Sequence, residues 1–176
     1  VGSSVRSKVL EIGGFPAIAM DATEAMGIPT EGPHAGFCGR VFILLGDKAL
    51  LIVDRVAIEH PGRVEARFFT RFDTEVFGNL AWITGKNEAM DIAFAATKPA
   101  VLQKTGAFLT ATAEPPFTML RWSTQKVTPH GIAFAMLLVP GSTCEDGGKV
   151  SIEESKDELV VDVKIEDWRQ TLRISN

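Results

Sequence analysis

Short apolar or alternating runs, broken by turn residues about every 8–12 positions, continue from one end of this chain to the other. That rhythm suits a multi-stranded antiparallel β-sandwich and leaves little room for helices. The runs are 5–12, 17–22, 40–45, 50–56, 63–72, 80–84, 89–95, 108–113, 119–127, 131–140, 149–155, 159–165 and 168–174. The breaks between them have hairpin chemistry. Gly46-Asp47-Lys48, Gly85-Lys86-Asn87, Ser155-Lys156-Asp157 and Glu166-Asp167 each separate two such runs.

Alternation within the runs assigns faces. Val150 and Ile152, then Leu159, Val161, Val163 and Ile165, then Leu172 and Ile174 recur at every second position, with polar residues between most of them. These are strands with one solvated face. The runs 41–45, 50–53 and 134–139 are apolar on both faces. They are expected in the middle of a sheet covered on both sides, or at an interface with another domain. The segment 21–26 offers one helical turn at most, with Asp21 as N-cap and Glu24 at the third position. The stretch 27–39 reads as the one long loop; it holds Gly27, Gly32, Gly36, Gly39, two prolines, His34 and Cys38. Function concentrates on such loops.

Composition sets the outer limits. The 176 residues are 45% hydrophobic and 23% charged, which is a globular mixture. They are read as one β-sandwich domain, 1–176, either processed or a piece of a longer chain. The first residue is Val rather than Met, and no charged-then-apolar leader precedes the first strand. The longest apolar run, near 131–139, is far shorter than a membrane span. A net charge of −4 argues against a general nucleic-acid binder. Two cysteines, Cys38 and Cys144, make no disulfide framework, and the sequence leaves their redox state open.

Two constellations carry candidate chemistry. In the first, His34, Cys38 and Arg40 precede the hairpin that returns Asp54 to the same end. An imidazole with a carboxylate is half of a zinc site; the plain alternative is a loop histidine and a structural aspartate. A metal enzyme built on His34, Cys38, Asp54 and His130 is a further alternative. In the second, Arg63, Arg67 and Arg71 alternate along one strand face with Glu65 and Phe69 between them. Guanidinium groups pair two-pronged with carboxylate or sulfate, so the row suits an acidic polymer. Its plain alternative is a solvated face. Trp82, Trp122 and Trp168 are either a sugar-stacking platform or core packing. Phosphate-binding glycine motifs and a Gly-x-Ser-x-Gly elbow are absent from the sequence.

The stretch Met20-Asp21-Ala22-Thr23-Glu24-Ala25, then Arg40-Val41-Phe42-Ile43-Leu44-Leu45, then Leu50-Leu51-Ile52-Val53-Asp54-Arg55-Val56 resembles the β-sandwich part of heparinase II/III-like proteins. Segments 68–71, 81–85, 89–94 and 135–140 resemble the strands that follow. The resemblance implies a sandwich joined to an N-terminal helical toroid, the pair cleaving acidic polysaccharide, a glycosaminoglycan or alginate, by β-elimination. It implies that His34 stands at the cleft as a catalytic residue, and that His34 and Asp54 match the first two positions of a structural zinc. No histidine lies between His60 and His130, where the third would fall. Arg40, Arg63, Arg67 and Arg71 are then substrate contacts. The catalytic Tyr belongs to the toroid, since this chain has no Tyr; the domain alone is expected to be inactive. A periplasmic or secreted location follows from the resemblance. The rival reading is a non-catalytic carbohydrate-binding or structural sandwich.

Overall fold

The computed structural model describes residues 4–28, 31, 36–58, 62–107, 117–124, 131–141 and 147–175. These form fourteen strands and no helix. In chain order they are β1 (Arg6–Ile12), β2 (Phe15–Asp21), β3 (Phe37–Leu45), β4 (Ala49–Ala57), β5 (Glu65–Thr70), β6 (Asp73–Phe77) and β7 (Leu80–Thr84). Then come β8 (Ala89–Ala96), β9 (Ala100–Ala107), β10 (Phe117–Thr124), β11 (Ile132–Pro140), β12 (Lys149–Glu154), β13 (Glu158–Ile165) and β14 (Trp168–Ser175).

The strands build three antiparallel sheets. The central one has eight strands in the order β1-β2-β3-β4-β11-β8-β7-β6. One three-stranded sheet, β12-β13-β14, packs on one face, and the other, β5-β10-β9, packs on the opposite face. The central sheet thus consists of two hairpin meanders, β1–β4 and β6–β8, joined by β11. β11 pairs with β4 on one side (Leu137↔Leu51) and with β8 on the other (Leu137↔Ala93).

A strand covered on both faces needs apolar residues at every position, and the run 132–139 supplies them. Ala133, Ala135, Leu137 and Val139 face β12-β13-β14 and meet Ile152, Leu159, Val161, Val163 and Leu172. Ile132, Phe134, Met136 and Leu138 face β5-β10-β9 and meet Ala66, Leu120, Trp122 and Leu102. Each fully buried large side chain contributes about 1.5–3 kcal/mol. β4 splits the same way, with Leu51 and Val53 on the first side and Ile52 on the second. The two-sided runs therefore lie at the centre of a covered sheet, as expected for 50–53 and 134–139.

For 41–45 that expectation holds on one face only. Ile43 and Leu45 are buried, whereas Leu44 on the other face is 51% exposed. The β5-β10-β9 cover stops short of this end of the sheet, which also leaves Val9 and Ile18 exposed.

The turns follow the sequence. Gly46 takes φ +63°, and the Lys48 N–H donates to the Leu45 carbonyl. The Gly85 N–H donates to the Glu88 carbonyl, and that of Ser155 to Glu158. Glu166 opens the β13–β14 turn at φ +51°, in the left-handed region. At 21–26 the chain makes a single turn rather than a helix. The Asp21 carboxylate accepts from the Thr23 N–H at 3.0 Å and the Thr23 hydroxyl at 2.6 Å. Glu24 leaves the expected capping position and binds Ser4 and Arg6.

Other boundaries differ from the sequence reading. β3 starts at Phe37, so Cys38 and Gly39 belong to a strand rather than to the loop. The 63–72 run shortens to β5, and Phe72 is 58% exposed beyond its end. β6 and β9 arise where no run was read. The expected strand 108–113 lies outside the described residues. Among the described residues no helix is long and apolar enough to cross a membrane.

Candidate functional site

Arg40 on β3 and Asp54 on β4 are direct cross-strand partners. Both project from the sheet face opposite β12-β13-β14, because their neighbours Val41 and Val53 point to that sheet. Antiparallel register brings the two side chains together, and the guanidinium grips the carboxylate with two prongs. Arg40 Nε donates to Asp54 Oδ1 at 2.5 Å and Nη2 to Oδ2 at 2.8 Å. Asp54 is buried, and the guanidinium stands 5.8 Å from the Phe42 ring centroid. The hydrogen bond to Asp54 pushes Arg40 above its ordinary pKa, so it stays a cation at every working pH. Cys38 lies two residues earlier on the same face. Burial, then the negative charge of Asp54, pushes its thiol up, which keeps it protonated and unreactive near neutral pH.

These residues wall a cavity of about 550 Å³ between the central sheet and the start of β5. Met20, Phe42, Val56 and Phe134 give it an apolar lining, and Arg63 and Glu65 add charge from the β5 side. Arg63 is exposed and is in no ion pair among the described residues. The sequence placed Arg63 in a row with Arg67 and Arg71; the structure divides them. Arg67 stands on the outer face of β5, where Nη2 meets Glu65 Oε2 at 2.6 Å. Arg121 of β10, the register partner of Arg67, reaches the same Glu65 at 3.7 Å and also bonds Gln103. Arg71 lies past the strand end, its guanidinium 4.5 Å over the Phe117 ring. The sequence reading did not single out Arg121, although its place between buried Leu120 and Trp122 was the available signal.

The histidines His34, His60 and His130, and Cys144, lie outside the described residues. For a structural zinc the donor set does not come together among the described residues. Both Asp54 oxygens are held by Arg40, and among the described residues no three His, Cys, Asp or Glu side chains cluster. The three tryptophans form no platform. Trp122 packs against Phe94 at 5.6 Å, Trp168 stands edge-on to Phe15 at 6.2 Å, and Trp82 sits on β7 of the central sheet.

No family model and no curated protein sequence matches the chain. Solved structures do. A heparinase III gene product superposes with a TM-score of 0.74 at 10% identity, covering 99% of this chain and 30% of its own. A crystal structure of heparinase III gives 0.73 at 13% identity, covering 99% and 29%. A heparan sulfate lyase from Pedobacter heparinus gives 0.72 at 14% identity, covering 97% and 28%. The chain therefore spans a little under a third of the length of the structures it matches. Over nearly all of its residues it has the fold of that portion of heparinase III, the fold that its resemblance to heparinase II/III-like proteins implies.

Proposed function

We propose that this chain is the C-terminal β-sandwich of a polysaccharide lyase that cleaves acidic, uronate-containing polysaccharide by β-elimination. The observation that carries the reading is the superposition on heparinase III over 97–99% of the chain. In such a reaction a base removes the proton at C5 of the uronate, its carboxylate is neutralised, and the C4 substituent leaves. The base, a Tyr or His, would belong to a helical toroid of the same longer chain, and His34 would serve as a catalytic residue of the cleft. Among the arginines, Arg63 is the strongest candidate for the uronate carboxylate. It is exposed at a cavity and carries a charge that no described acid offsets. Arg40 is neutralised by Asp54, and its part is to hold the β3–β4 wall. Arg67 and Arg71 would follow the polymer beyond the cleft. The protein would work in the periplasm or outside the cell.

The test is expression of the complete reading frame and assay of unsaturated uronate absorbance on heparan sulfate and on alginate. Activity is expected on one of them, with none from residues 1–176 alone. Arg63→Ala is expected to lose roughly tenfold in kcat/KM, the worth of one charge-assisted hydrogen bond. Absence of elimination on every uronate polymer defeats the lyase reading. The second reading, a structural or carbohydrate-binding sandwich without catalysis, is favoured by the Glu65 carboxylate that already engages Arg67 and Arg121. Unchanged polymer affinity in Arg67→Ala and Arg63→Ala together would leave the structural role.

A further inference from the structure

The opposite face of the same strands carries a second concavity, and all of its lining residues are described. It opens where the β12-β13-β14 cover ends, between Leu159 and Ile174 on one side and β1–β4 on the other. Its volume is about 300 Å³, at the small end for ligand pockets, which suits one ring rather than a chain. The register places Arg6, Asp21, Gly39 and Arg55 in one row across four strands. Gly39 is the gap in that row. The Phe37 ring leans along β3 into the space, its nearest atom 2.5 Å from where a Cβ on residue 39 would stand. Phe37 is 38% exposed, so part of the ring is left open to the cavity.

Charge at the rim is uneven. Arg6 pairs with Glu24 at 3.2 Å and Arg55 with Glu154 at 3.7 Å. The Asp21 carboxylate accepts both Thr23 hydrogen bonds. Lys8, in the next row, is exposed and enters no ion pair among the described residues. The partly open Phe37 ring and the Lys8 ammonium line one pocket, with apolar Ala19, Val41, Val53, Leu159 and Ile174 in its wall and the charges of Arg6, Asp21 and Arg55 in the row across it, and the pair favours a ring that has one apolar face and one negative charge. A pyranose uronate has both, since its axial C–H groups stack on an aromatic ring while its carboxylate meets the cation.

We propose that this pocket is a binding site for a single uronate sugar, set on the sheet face away from the Arg40–Asp54 pair. It goes beyond the lyase reading and does not depend on it, because it requires binding without cleavage.

The test titrates the 176-residue protein with sodium glucuronate, with glucose and with benzoate, followed by calorimetry and by saturation-transfer NMR. Glucuronate is expected to bind with a Kd of roughly 1 mM, more tightly than glucose or benzoate. Lys8→Glu is expected to weaken it roughly tenfold and Phe37→Ala to abolish it, while Phe37→Trp retains it. Lys8 sits exposed on an edge strand, so Lys8→Glu reports even where Phe37→Ala does not fold. Three results overturn the proposal: no saturable glucuronate binding, equal binding of benzoate, or glucuronate affinity unchanged in Lys8→Glu. Glucuronate carries only a hydroxyl at C4 and has no glycosidic bond there to cleave, so a failed lyase assay does not touch this result, nor the reverse.

Discussion

The two sheets that cover the central one are equal in strand number and opposite in construction. β12, β13 and β14 follow one another in the chain, each paired with its immediate neighbour through a short hairpin. In the other cover, β10 sits between β5 and β9, and its pairing with β5 spans some fifty residues, Leu120 opposite Phe68. The first closes through small loops. The second has to bring distant segments together before any contact repays the lost entropy. β8 and the first half of β11 meet the two covers with different side chains. Toward β12-β13-β14 they present Ala93, Ala133 and Ala135, and toward β5-β10-β9 they present Ile92, Phe94, Phe134 and Met136. Where both faces are apolar, polarity cannot fix which way a strand faces, because a slip of one residue exchanges two greasy surfaces. Along 92–94 and 132–136 the difference in side-chain size opposes such a slip.

That contrast can be broken or sharpened by substitution. The largest effect is expected from Phe134→Ala, under the non-local cover, at about 3–5 kcal/mol, with Leu137→Ala on the other side at about 2–5 kcal/mol. Denaturant titration followed by fluorescence gives a reporter in each layer, Trp122 in one and Trp168 in the other. Both substitutions should shift a single shared transition; separate transitions would mean that the local cover folds independently. Next, Arg40→Ala strips the counter-ion from buried Asp54 and is expected to cost about 3 kcal/mol. Asp54→Ala should cost about 1 kcal/mol, since the Arg40 side chain, 40% exposed, can turn to water. Equal losses would contradict the asymmetry in burial.

A smaller effect is expected from Thr23→Val. It removes the hydroxyl that accepts from the Cys38 N–H at 3.0 Å, for about 1–3 kcal/mol. It also removes the hydrogen bond that chiefly holds the Asp21 carboxyl below the usual carboxylate range. A carboxyl lowered by folding adds stability above its unfolded pKa and loses it as pH falls through the folded value. Between about pH 5 and pH 2 the unmodified protein should therefore lose more stability than Thr23→Val does; parallel curves would refute the linkage. The smallest effect belongs to Arg67→Ala, a surface pair with Glu65, expected to shift the denaturation midpoint by less than about 0.5 kcal/mol.

The local cover was also the legible one. Leu159, Val161, Val163 and Ile165 alternate with exposed or half-exposed residues, and that pattern is a direct print of one dry face and one wet face. β9 carries the same period more faintly, with Leu102 buried between exposed Val101 and Gln103. β6 is a five-residue edge strand with little apolar content, so nothing local announced it. At the candidate site the sequence brought Arg40 and Asp54 to one end of one hairpin, which the register bears out. It did not foresee that they bind each other, because a hairpin count gives proximity and not which partner a carboxylate takes. The arginine row failed for a related reason: parity was right for Arg67, but Arg63 and Arg71 lie beyond the ends of β5.

The insertion of β11 between two earlier meanders has a consequence for how the protein is made. β4 and β8 are both complete once residue 96 has left the ribosome, yet the strand that seals them ends only at Pro140. Throughout that interval the nascent chain carries two long unpaired edges, bearing Leu51, Val53, Ile92 and Phe94, that have no partner until Ile132 and the residues after it have been made. Those edges are templates for pairing with other chains. A nascent chain stalled or cut short of residue 132 is thus a client for chaperones and a seed for aggregation, and the rate of elongation across that stretch sets how long the hazard lasts.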